Sequence, residues 1–456
     1  MIPIPATLAR LRSRETDPNA LAQVFLDAID AQNPRLNAFI EIIRDGLPAS
    51  AAPDQALYGI PIAVKDLIDL QGWPTRAGSP QFFGDVPAGR DAFVVEKLKA
   101  AGANMLGKTH THEIALGITG INPHFGAVRN PHRLTHISGG SSSGSAAAVA
   151  AGMCLGALGT DTGGSIRIPA ALCGVVGIKP SFGRVSTSGV LPLSWNLDHI
   201  GALAGTVEDA AILLQVMAGY DPLDPASSNL PVGDYLSHID DGIRDWRVAQ
   251  LAGEYLAESD TGVLDAVDEA ARVFSALGAR LTQVELPELR RAASANTHML
   301  LTDAAAFHRE RLVEHPDWFG ADVRQRLEAG RALSAAEYSL ARRAQSELKR
   351  HFESFFSDYD LLILPTTASV AVPIEGLQSA EYAPRLTRFT APFNLLGLPA
   401  LTVPCGNVDG LPVGLQIVGP AWAEDRVLRA GHAFEKYHLS ISGKLLLTGG
   451  FDTAAG

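Results

Sequence analysis

Two short glycine-serine clusters constrain this chain more than any other feature of its sequence. The first is Gly-Gly-Ser-Ser-Ser-Gly-Ser at residues 139–145, and the second is Asp-Thr-Gly-Gly-Ser-Ile-Arg at residues 161–167. Apolar stretches follow them at residues 146–151 and 173–178, so the clusters lie within a core and are not flexible linkers. Glycines beside hydroxyls let the backbone approach a ligand and direct successive N–H groups at one point, as stabilisation of an oxyanion requires. The pair therefore predicts a catalytic site.

Alternating helical and strand-like segments predict an α/β fold. Residues 19–31 and 91–101 have helical apolar spacing, whereas the short apolar runs that predict strands lie at residues 60–64, 104–106, 155–159 and 175–178. Strands return at residues 361–364, 400–403 and 413–418. We therefore expect one large, mixed central β-sheet covered by helices on both faces. Residues 1–456 would form a single domain with a mostly helical excursion at about residues 260–354, and residues 449–456 would fray.

Composition limits the partners that this chain can have. With 37 Lys and Arg against 49 Asp and Glu, the net charge is −12, and no basic cluster marks a nucleic-acid groove or a membrane surface. The three cysteines lie far apart in apolar contexts, which is typical of buried free thiols in a reducing compartment. No apolar run reaches the roughly 18 residues of a spanning helix. We predict a cytoplasmic protein that acts on a small molecule as a monomer or homodimer.

Short motifs of other active sites occur here without the structural context that they need. Residues 102–109 match the phosphate-loop pattern, but Gly102 ends a predicted helix and a predicted strand follows it, which is the reverse of the order required. Residues 140–144 match a nucleophile elbow, with Ser142 as nucleophile and Asp198 and His199 downstream. That alternative lacks the preceding buried strand, since residues 130–138 are polar. No set of side chains has the spacing of metal ligands.

Lys65 is the unusual charge of the sequence, because it ends an apolar strand-like run at residues 60–64. A lysine in such a place is by default a snorkelling or ion-paired side chain. If it lies buried beside hydroxyls instead, desolvation favours the neutral amine, which can take a proton from a serine.

Lys65 and both clusters belong to a longer set of motifs, and with them the sequence closely resembles the amidase signature family of serine amidases. The motifs are Ala63-Val64-Lys65-Asp66, Gly107-Lys108-Thr109, Gly139-Gly140-Ser141-Ser142, Gly159-Thr160-Asp161-Thr162-Gly163-Gly164-Ser165-Ile166-Arg167, Gly177-Ile178-Lys179-Pro180, Leu364-Pro365-Thr366-Thr367 and Leu396-Gly397-Leu398-Pro399-Ala400. The resemblance covers nearly the whole chain and implies the amidase signature fold. One departure is Ser143, which stands where the family usually has glycine.

The resemblance implies a role for each catalytic residue. Ser165 would be the acyl-accepting nucleophile, Ser141 the bridging serine that follows a cis peptide bond, and Lys65 the base. The oxyanion hole would consist of the backbone amides of Thr162, Gly163, Gly164 and Ser165. Protons would pass from Ser165 through Ser141 to Lys65, without a metal, an organic cofactor or a histidine.

The expected function is a stand-alone hydrolase that cleaves the C–N bond of small amides. The same acyl-enzyme chemistry would extend to carbamates (urethanes), anilides and esters. Ile168 follows Arg167 where glutamine-using members generally carry a polar residue, which favours an apolar acyl or leaving group. Arg167 either binds a substrate carboxylate or braces the nucleophile loop. The substrate-binding candidates are Phe125, Arg167, Ile168, Leu191, Leu193, Trp195 and Phe393.

Two other functions stay open. The first is the glutamine-hydrolysing A subunit of a tRNA-dependent amidotransferase, which would be an obligate part of an assembly. Ile168 and the segment that begins at His199 argue against this role. The second is a catalytically silent binding module on the same scaffold, against which the intact set of Lys65, Ser141 and Ser165 argues.

Overall fold

A computed structural model of the chain describes residues 2–47, 50–81 and 85–442, so the predicted fraying of residues 449–456 lies outside it. The strands are β1 (Phe39–Ile42), β2 (Pro61–Lys65), β3 (Asn104–Thr109), β4 (Ile121–Asn122), β5 (Gly126–Ala127), β6 (Arg129–Asn130), β7 (Arg133–Ile137), β8 (Gly156–Asp161), β9 (Val176–Lys179), β10 (His199–Ala204), β11 (Arg247–Leu251), β12 (Arg280–Val284), β13 (Leu361–Pro365), β14 (Ala400–Val408) and β15 (Leu411–Val418).

The α-helices carry the rest of the regular structure. They are α1 (Ile4–Arg12), α2 (Pro18–Leu36), α3 (Phe93–Ala100), α4 (Ser143–Ala150), α5 (Arg167–Cys173), α6 (Val207–Met217), α7 (Thr261–Ala276), α8 (Glu288–Phe307), α9 (Arg309–Glu314), α10 (Ala321–Ala332), α11 (Ala335–Asp358), α12 (Ser379–Thr387), α13 (Ala391–Leu396) and α14 (Glu424–Ser442). None of these described helices has both the length and the apolar character needed to cross a bilayer.

Eleven strands form one sheet, in the order β1-β3-β2-β8-β10-β9-β14-β15-β13-β11-β12. Strand β2 is parallel to β3 and β8, and β11 is parallel to β12 and β13, whereas the other neighbours are antiparallel. Strands from both ends of the chain meet where β9 pairs with β14. The predicted α/β class and mixed central sheet are therefore confirmed.

The parallel strands β2, β3 and β8 bring buried polar residues together at one edge of the sheet. Because their carboxyl ends point the same way, Lys65 at the end of β2 lies next to Thr160 near the end of β8. Every residue of these three strands is buried. Helix α4, made of serine, glycine, alanine and valine, packs closely against β2, β3 and β8.

Helices α7 to α11 lie between residues 261 and 358, the part of the chain where the sequence predicts a mostly helical excursion. Helix α11 starts at Ala335 because the Ser334 hydroxyl accepts from the Glu337 N–H while the Glu337 carboxylate accepts from the Ser334 N–H, a capping box. Within the excursion lies one strand that was not predicted, β12, which pairs with β11 at the sheet edge. Helix α8 packs against both α10 and α11, and its Asn296 donates to the Thr162 carbonyl just beyond the carboxyl end of β8.

Candidate active site

Lys65 and Ser141 are brought together by the fold. The Lys65 Nζ lies 2.7 Å from the Ser141 Oγ and 2.7 Å from the Thr160 Oγ1, and neither Lys65 nor Ser141 has any exposed surface. Strand β2 supplies the lysine, strand β8 the threonine, and the turn before α4 the serine. The two hydroxyls fix the direction of the amine.

Burial changes the acid–base behaviour of this lysine. It lowers the pKa of Lys65 to about 7, although the carboxylates of Asp161 and Asp198 pull in the opposite direction. Desolvation acts this way because a buried ammonium loses its hydration. The amine therefore exchanges a proton near neutral pH, which is what a general base requires.

The backbone of Ser141 is held rigidly. The peptide bond between Gly140 and Ser141 is cis, as the resemblance implied. The Ser141 carbonyl accepts from the His112 N–H at 3.2 Å and from the Thr111 hydroxyl at 3.0 Å. One of the two histidines after β3 thus acts through its backbone on the serine turn.

The second cluster forms a tight loop between β8 and α5, with Ser165 at its end. Gly164 has a φ of +135°, and a Cβ there would come within 2.3 Å of the Thr390 Oγ1. Only glycine fits such a position. The Ser142 N–H donates to the Ser165 carbonyl at 3.1 Å, so the two clusters are joined through their backbones.

The carbonyl groups of this loop are anchored, whereas its amides stay available. The Thr162 carbonyl accepts from Asn296, and the Gly163 carbonyl accepts from the Thr390 hydroxyl. Within the described part of the chain, the N–H groups of residues 162–165 donate to no protein acceptor. Four free donors beside a serine are the arrangement that an oxyanion hole needs.

Arg167 is a bracing residue. Its guanidinium donates to the carboxylate of Asp161 at 2.8 and 3.0 Å, to Gln416 and Asn394, and to the Thr390 carbonyl. All five N–H groups of an arginine are thereby used, and none is left for a substrate. Burial alone would raise the pKa of Asp161, but Arg167 holds it well below its usual value.

A cavity of about 800 Å³ opens in front of Ser165. The nucleophile loop and residues 115–118 form its floor, and α8, α10 and α12 form its walls. Its polar lining residues are Thr162, Ser165, Glu258, Arg290, Ser294, Asn296, Thr297, Gln325, Arg326, Glu381, Arg385, Thr387 and Arg388. Apolar side chains, among them Leu116, Leu300 and Leu301, line the rest of the cavity, so it offers both charged and apolar contacts.

Arg326, on α10, differs from the other arginines of this cavity. Arg290 and Arg385 form ion pairs with Glu254 and Asp260 at 3.1 and 2.6 Å, and Arg388 pairs with Glu258. Arg326 instead donates to the backbone carbonyls of Leu116 and Ser379, and burial lowers its pKa. Sequence reasoning missed Arg326, because it lies in a charged helix without any motif.

Most of the predicted substrate-binding residues lie away from the cavity. Ile168 and Phe393 are fully buried in apolar clusters, Arg167 is used up by Asp161 and its neighbours, and Trp195 is 48% exposed. Phe125 packs edge-on against His110, and Leu191 lines a separate groove. Leu193 does line the cavity. Apolar side chains serve cores and pockets alike, so sequence alone did not separate them.

The motifs set aside at the sequence level have structural roles. Ser142 binds the backbone of Thr160 through its hydroxyl, at 3.1 and 3.2 Å, so it holds β8 in place and does not act as an elbow nucleophile. Lys108 of the apparent phosphate loop lies within β3 and pairs with the buried Asp66 at 3.3 Å.

Comparison with known proteins identifies the same scaffold. The Amidase family model matches residues 20–428. The A subunit of glutamyl-tRNA(Gln) amidotransferase from Chloroflexus aurantiacus is 40% identical over 468 residues, which cover 95% of this chain and 96% of that protein.

Three solved structures match over nearly all of their length. An inhibitor-bound vestigial protein complex, described as revealing the evolutionary origins of an s-triazine catabolic enzyme, has a TM-score of 0.88 and 32% identity, covering 97% of this chain and 99% of that chain. The A subunit of glutamyl-tRNA(Gln) amidotransferase from Thermotoga maritima has a TM-score of 0.85 and 34% identity, covering 95% and 94%. A bacterial aryl acylamidase of the amidase signature family has a TM-score of 0.85 and 27% identity, covering 98% of each.

These matches correct two predictions. The stand-alone hydrolase of small amides and carbamates is wrong, because the curated relatives that match almost end to end are amidotransferase A subunits. The expected monomer or homodimer acting on a small molecule alone, without nucleic acid, is wrong for the same reason, since those relatives are subunits of an enzyme named for a tRNA. Physically, the inference from Ile168 failed because that side chain does not reach the cavity.

Proposed function

The chain belongs to the amidase signature family, and we propose that it hydrolyses glutamine as the A subunit of a tRNA-dependent amidotransferase. The observation that carries this proposal is its 40% identity over 468 residues to an amidotransferase A subunit, with almost complete coverage of both chains. In this role the chain releases ammonia from the glutamine side chain, and the assembly transfers it to a glutamyl group carried by tRNA.

The contacts of Lys65 support a serine mechanism. The neutral amine takes a proton from Ser141, Ser141 takes one from Ser165, and the Ser165 oxygen forms a bond to the amide carbon. The proton then returns through Ser141 to the nitrogen, the C–N bond breaks, and ammonia leaves. Water repeats the relay, breaks the acyl–oxygen bond and releases glutamate.

The loop amides support the charged intermediate of each half-reaction. As the carbonyl carbon becomes tetrahedral, its oxygen gains a negative charge that the N–H groups of residues 162–165 can bind. Loss of one such donor typically costs about 3 kcal/mol of transition-state stabilisation. The anchored carbonyls of Thr162 and Gly163 keep these donors oriented.

The charges of the cavity fit the two ends of the glutamine backbone. A carboxylate is a natural ligand of a half-buried guanidinium whose hydrogen bonds go to backbone carbonyls, and Arg326 is such a group, although the Asp322 carboxylate also acts on it electrostatically. Glu381 lines the same cavity and supplies a negative charge for the α-ammonium. Aliphatic amides and anilides lack both charged groups.

The negative charge of this chain is compatible with membership in a tRNA-dependent assembly. A net charge of −12 disfavours a direct tRNA groove on this chain, and other members of the assembly then carry the tRNA contact.

We also propose a cytoplasmic location. The described cysteines are buried free thiols, which suits a reducing compartment.

The proposal is tested with a tagged chain purified from its own host together with the proteins bound to it. We expect this preparation to convert glutamine to glutamate and ammonia, and to form glutaminyl-tRNA from glutamyl-tRNA(Gln) when ATP is added. Ser165→Ala should abolish both activities while the same proteins still co-purify. The proposal fails if the chain purifies alone and turns over p-nitroacetanilide while glutamine stays untouched.

A further inference from the structure

Asp198 is a carboxylate beside the active site that the mechanism above does not use. It lies at the start of β10, opposite the end of β8, because His199 pairs with Asp161 across the sheet. The Thr162 hydroxyl donates to its Oδ1 at 2.6 Å, and the backbone N–H groups of Leu193 and Ser194 donate to its Oδ2 at 2.9 and 3.1 Å. All three hydrogen bonds come from uncharged donors.

The first consequence of this geometry is mechanical. Thr162 opens the nucleophile loop, and Leu193 lines the cavity. One carboxylate therefore joins the loop that carries Ser165 to a wall of the substrate cavity. A bond as short as 2.6 Å to Thr162 limits the rotation of the first residue of the loop.

The second consequence is electrostatic. Three ionisable groups act on Lys65: Asp161, Asp198 and His112. Asp161 is already neutralised by Arg167 at 2.8 Å, and burial lowers the pKa of His112, so that it is uncharged near neutral pH. Asp198 has no such cation in its hydrogen-bond shell.

We propose that Asp198 is a positioning residue of the reaction, which holds Thr162 in place and supplies the negative charge that stabilises the ammonium form of Lys65 while the relay proton rests there. The inference depends on the proposed role of Lys65 as the base. Burial raises the pKa of Asp198 to about 6, so at pH 7 and above it is mostly the carboxylate that this role requires, and it gains and loses no proton in the cycle. The proton moves from Ser165 to Ser141 to Lys65 and back to the leaving nitrogen.

A fluorophosphonate probe tests this inference without reference to the natural substrate. The probe phosphonylates Ser165, fluoride leaves, and the serine proton passes to Lys65, so the labelling rate reports activation by the base. In the wild-type chain the rate should rise with pH through a midpoint near 7, the pKa of Lys65. Ser165→Ala should not be labelled.

Asp198→Asn is the informative variant, because its amide oxygen can still accept from the Leu193 and Ser194 N–H groups while its NH2 group donates to the Thr162 hydroxyl oxygen. Without the negative charge the ammonium form is less stable, so the midpoint should move about one pH unit lower. The same loss of free energy should lower the labelling rate at high pH about tenfold. Asp198→Glu, which restores the charge, should recover part of that rate.

Asp303→Asn is the matched control for a merely structural effect. Asp303 is buried and holds the segment that contains Leu193 and Ser194. It accepts from the Ser194 hydroxyl at 2.6 Å and from Asn196 at 3.0 Å, but it does not act on Lys65. Its variant should keep the wild-type midpoint. The inference would be overturned if Asp198→Asn left the pH midpoint of the labelling rate unchanged, or if Asp303→Asn shifted that midpoint equally. Absence of wild-type labelling would overturn the assignment of Ser165 itself and this inference with it.

Discussion

At the scale of single residues, the molecule uses burial to make ordinary side chains reactive. Lys65 and Arg167 are both fully buried basic side chains on which the carboxylate of Asp161 acts. The Arg167 guanidinium donates to the Asp161 carboxylate and to three other acceptors. Lys65 has only two hydroxyl partners, so desolvation lowers its pKa. The different partners turn one cation into a brace and the other into a base.

The first residue-scale prediction concerns Lys65. Replacement by methionine keeps the length of the side chain but removes the base, so kcat should fall by about 10³-fold. In the wild-type protein, kcat/KM should rise as the pH increases through about 7, because only the neutral amine accepts a proton. Steady-state kinetics from pH 5.5 to 9 measure both effects. Lys99→Met, which alters a surface lysine paired with Asp91, should leave both unchanged.

The second residue-scale prediction concerns Arg326. Arg326→Gln should raise the KM for glutamine at least about tenfold with a smaller effect on kcat, because the carboxylate that it binds takes no part in bond breaking. Arg324→Gln provides the control, since Arg324 lies on the same helix and pairs with Glu328 at the surface. Equal KM values in the two variants would remove Arg326 from the substrate site.

At the scale of elements, the sequence predicted what depends on local pattern and missed what depends on distant neighbours. The buried strand β2 and the helical character of the segment that contains α11 are predicted from sequence, since apolar runs and amphipathic spacing are local signals. Strand β12 was missed because an edge strand that is half exposed carries charged and polar residues. The catalytic motifs were readable, but the cavity wall was not, because α8, α10 and α12 reach it only through tertiary packing.

The element-scale prediction concerns the junction of α6 and α14. The Glu435 carboxylate accepts from the Val207 N–H at the start of α6, and burial raises the pKa of Glu435 to about 8, with Asp209 and Glu208 adding to the effect. Between about pH 4.5 and 8 the folded chain therefore keeps a proton that the unfolded chain has lost. The free energy of unfolding should fall as the pH rises across this window, and level off above it.

Glu435→Gln tests this junction, since its amide oxygen still accepts from Val207. In urea unfolding, the variant should lose about 2 kcal/mol less stability than the wild type between pH 5.5 and 8.5. Part of the pH dependence should remain, because burial also raises the pKa of Asp209, to about 7. The exposed Glu269→Gln variant should behave like the wild type. If the free energy of unfolding of Glu435→Gln changed with pH as much as that of the wild type, the prediction would be contradicted.

At the scale of the whole molecule, one sheet unites the two ends of the chain. Strand β9 from the first half pairs with β14 from the second, and the guanidinium of Arg167 connects Asp161 on β8 to Gln416 on β15 and Asn394 on α13. The nucleophile loop is thus built against both halves at once. That residues 1–456 form a single domain stays a prediction, and this connection provides its test.

Arg167→Met removes the connection while keeping an apolar side chain of similar reach. It leaves the buried carboxylate of Asp161 without its cation, which typically costs about 3–5 kcal/mol. Because the loss falls on both halves of one sheet, scanning calorimetry should show a single transition in the wild type and a single, lower transition in the variant. Arg280→Gln, which breaks an exposed pair with Asp245, should cost at most about 1 kcal/mol. Two separate transitions, with only one lowered in Arg167→Met, would instead show that the halves fold independently and that Arg167 braces just one of them.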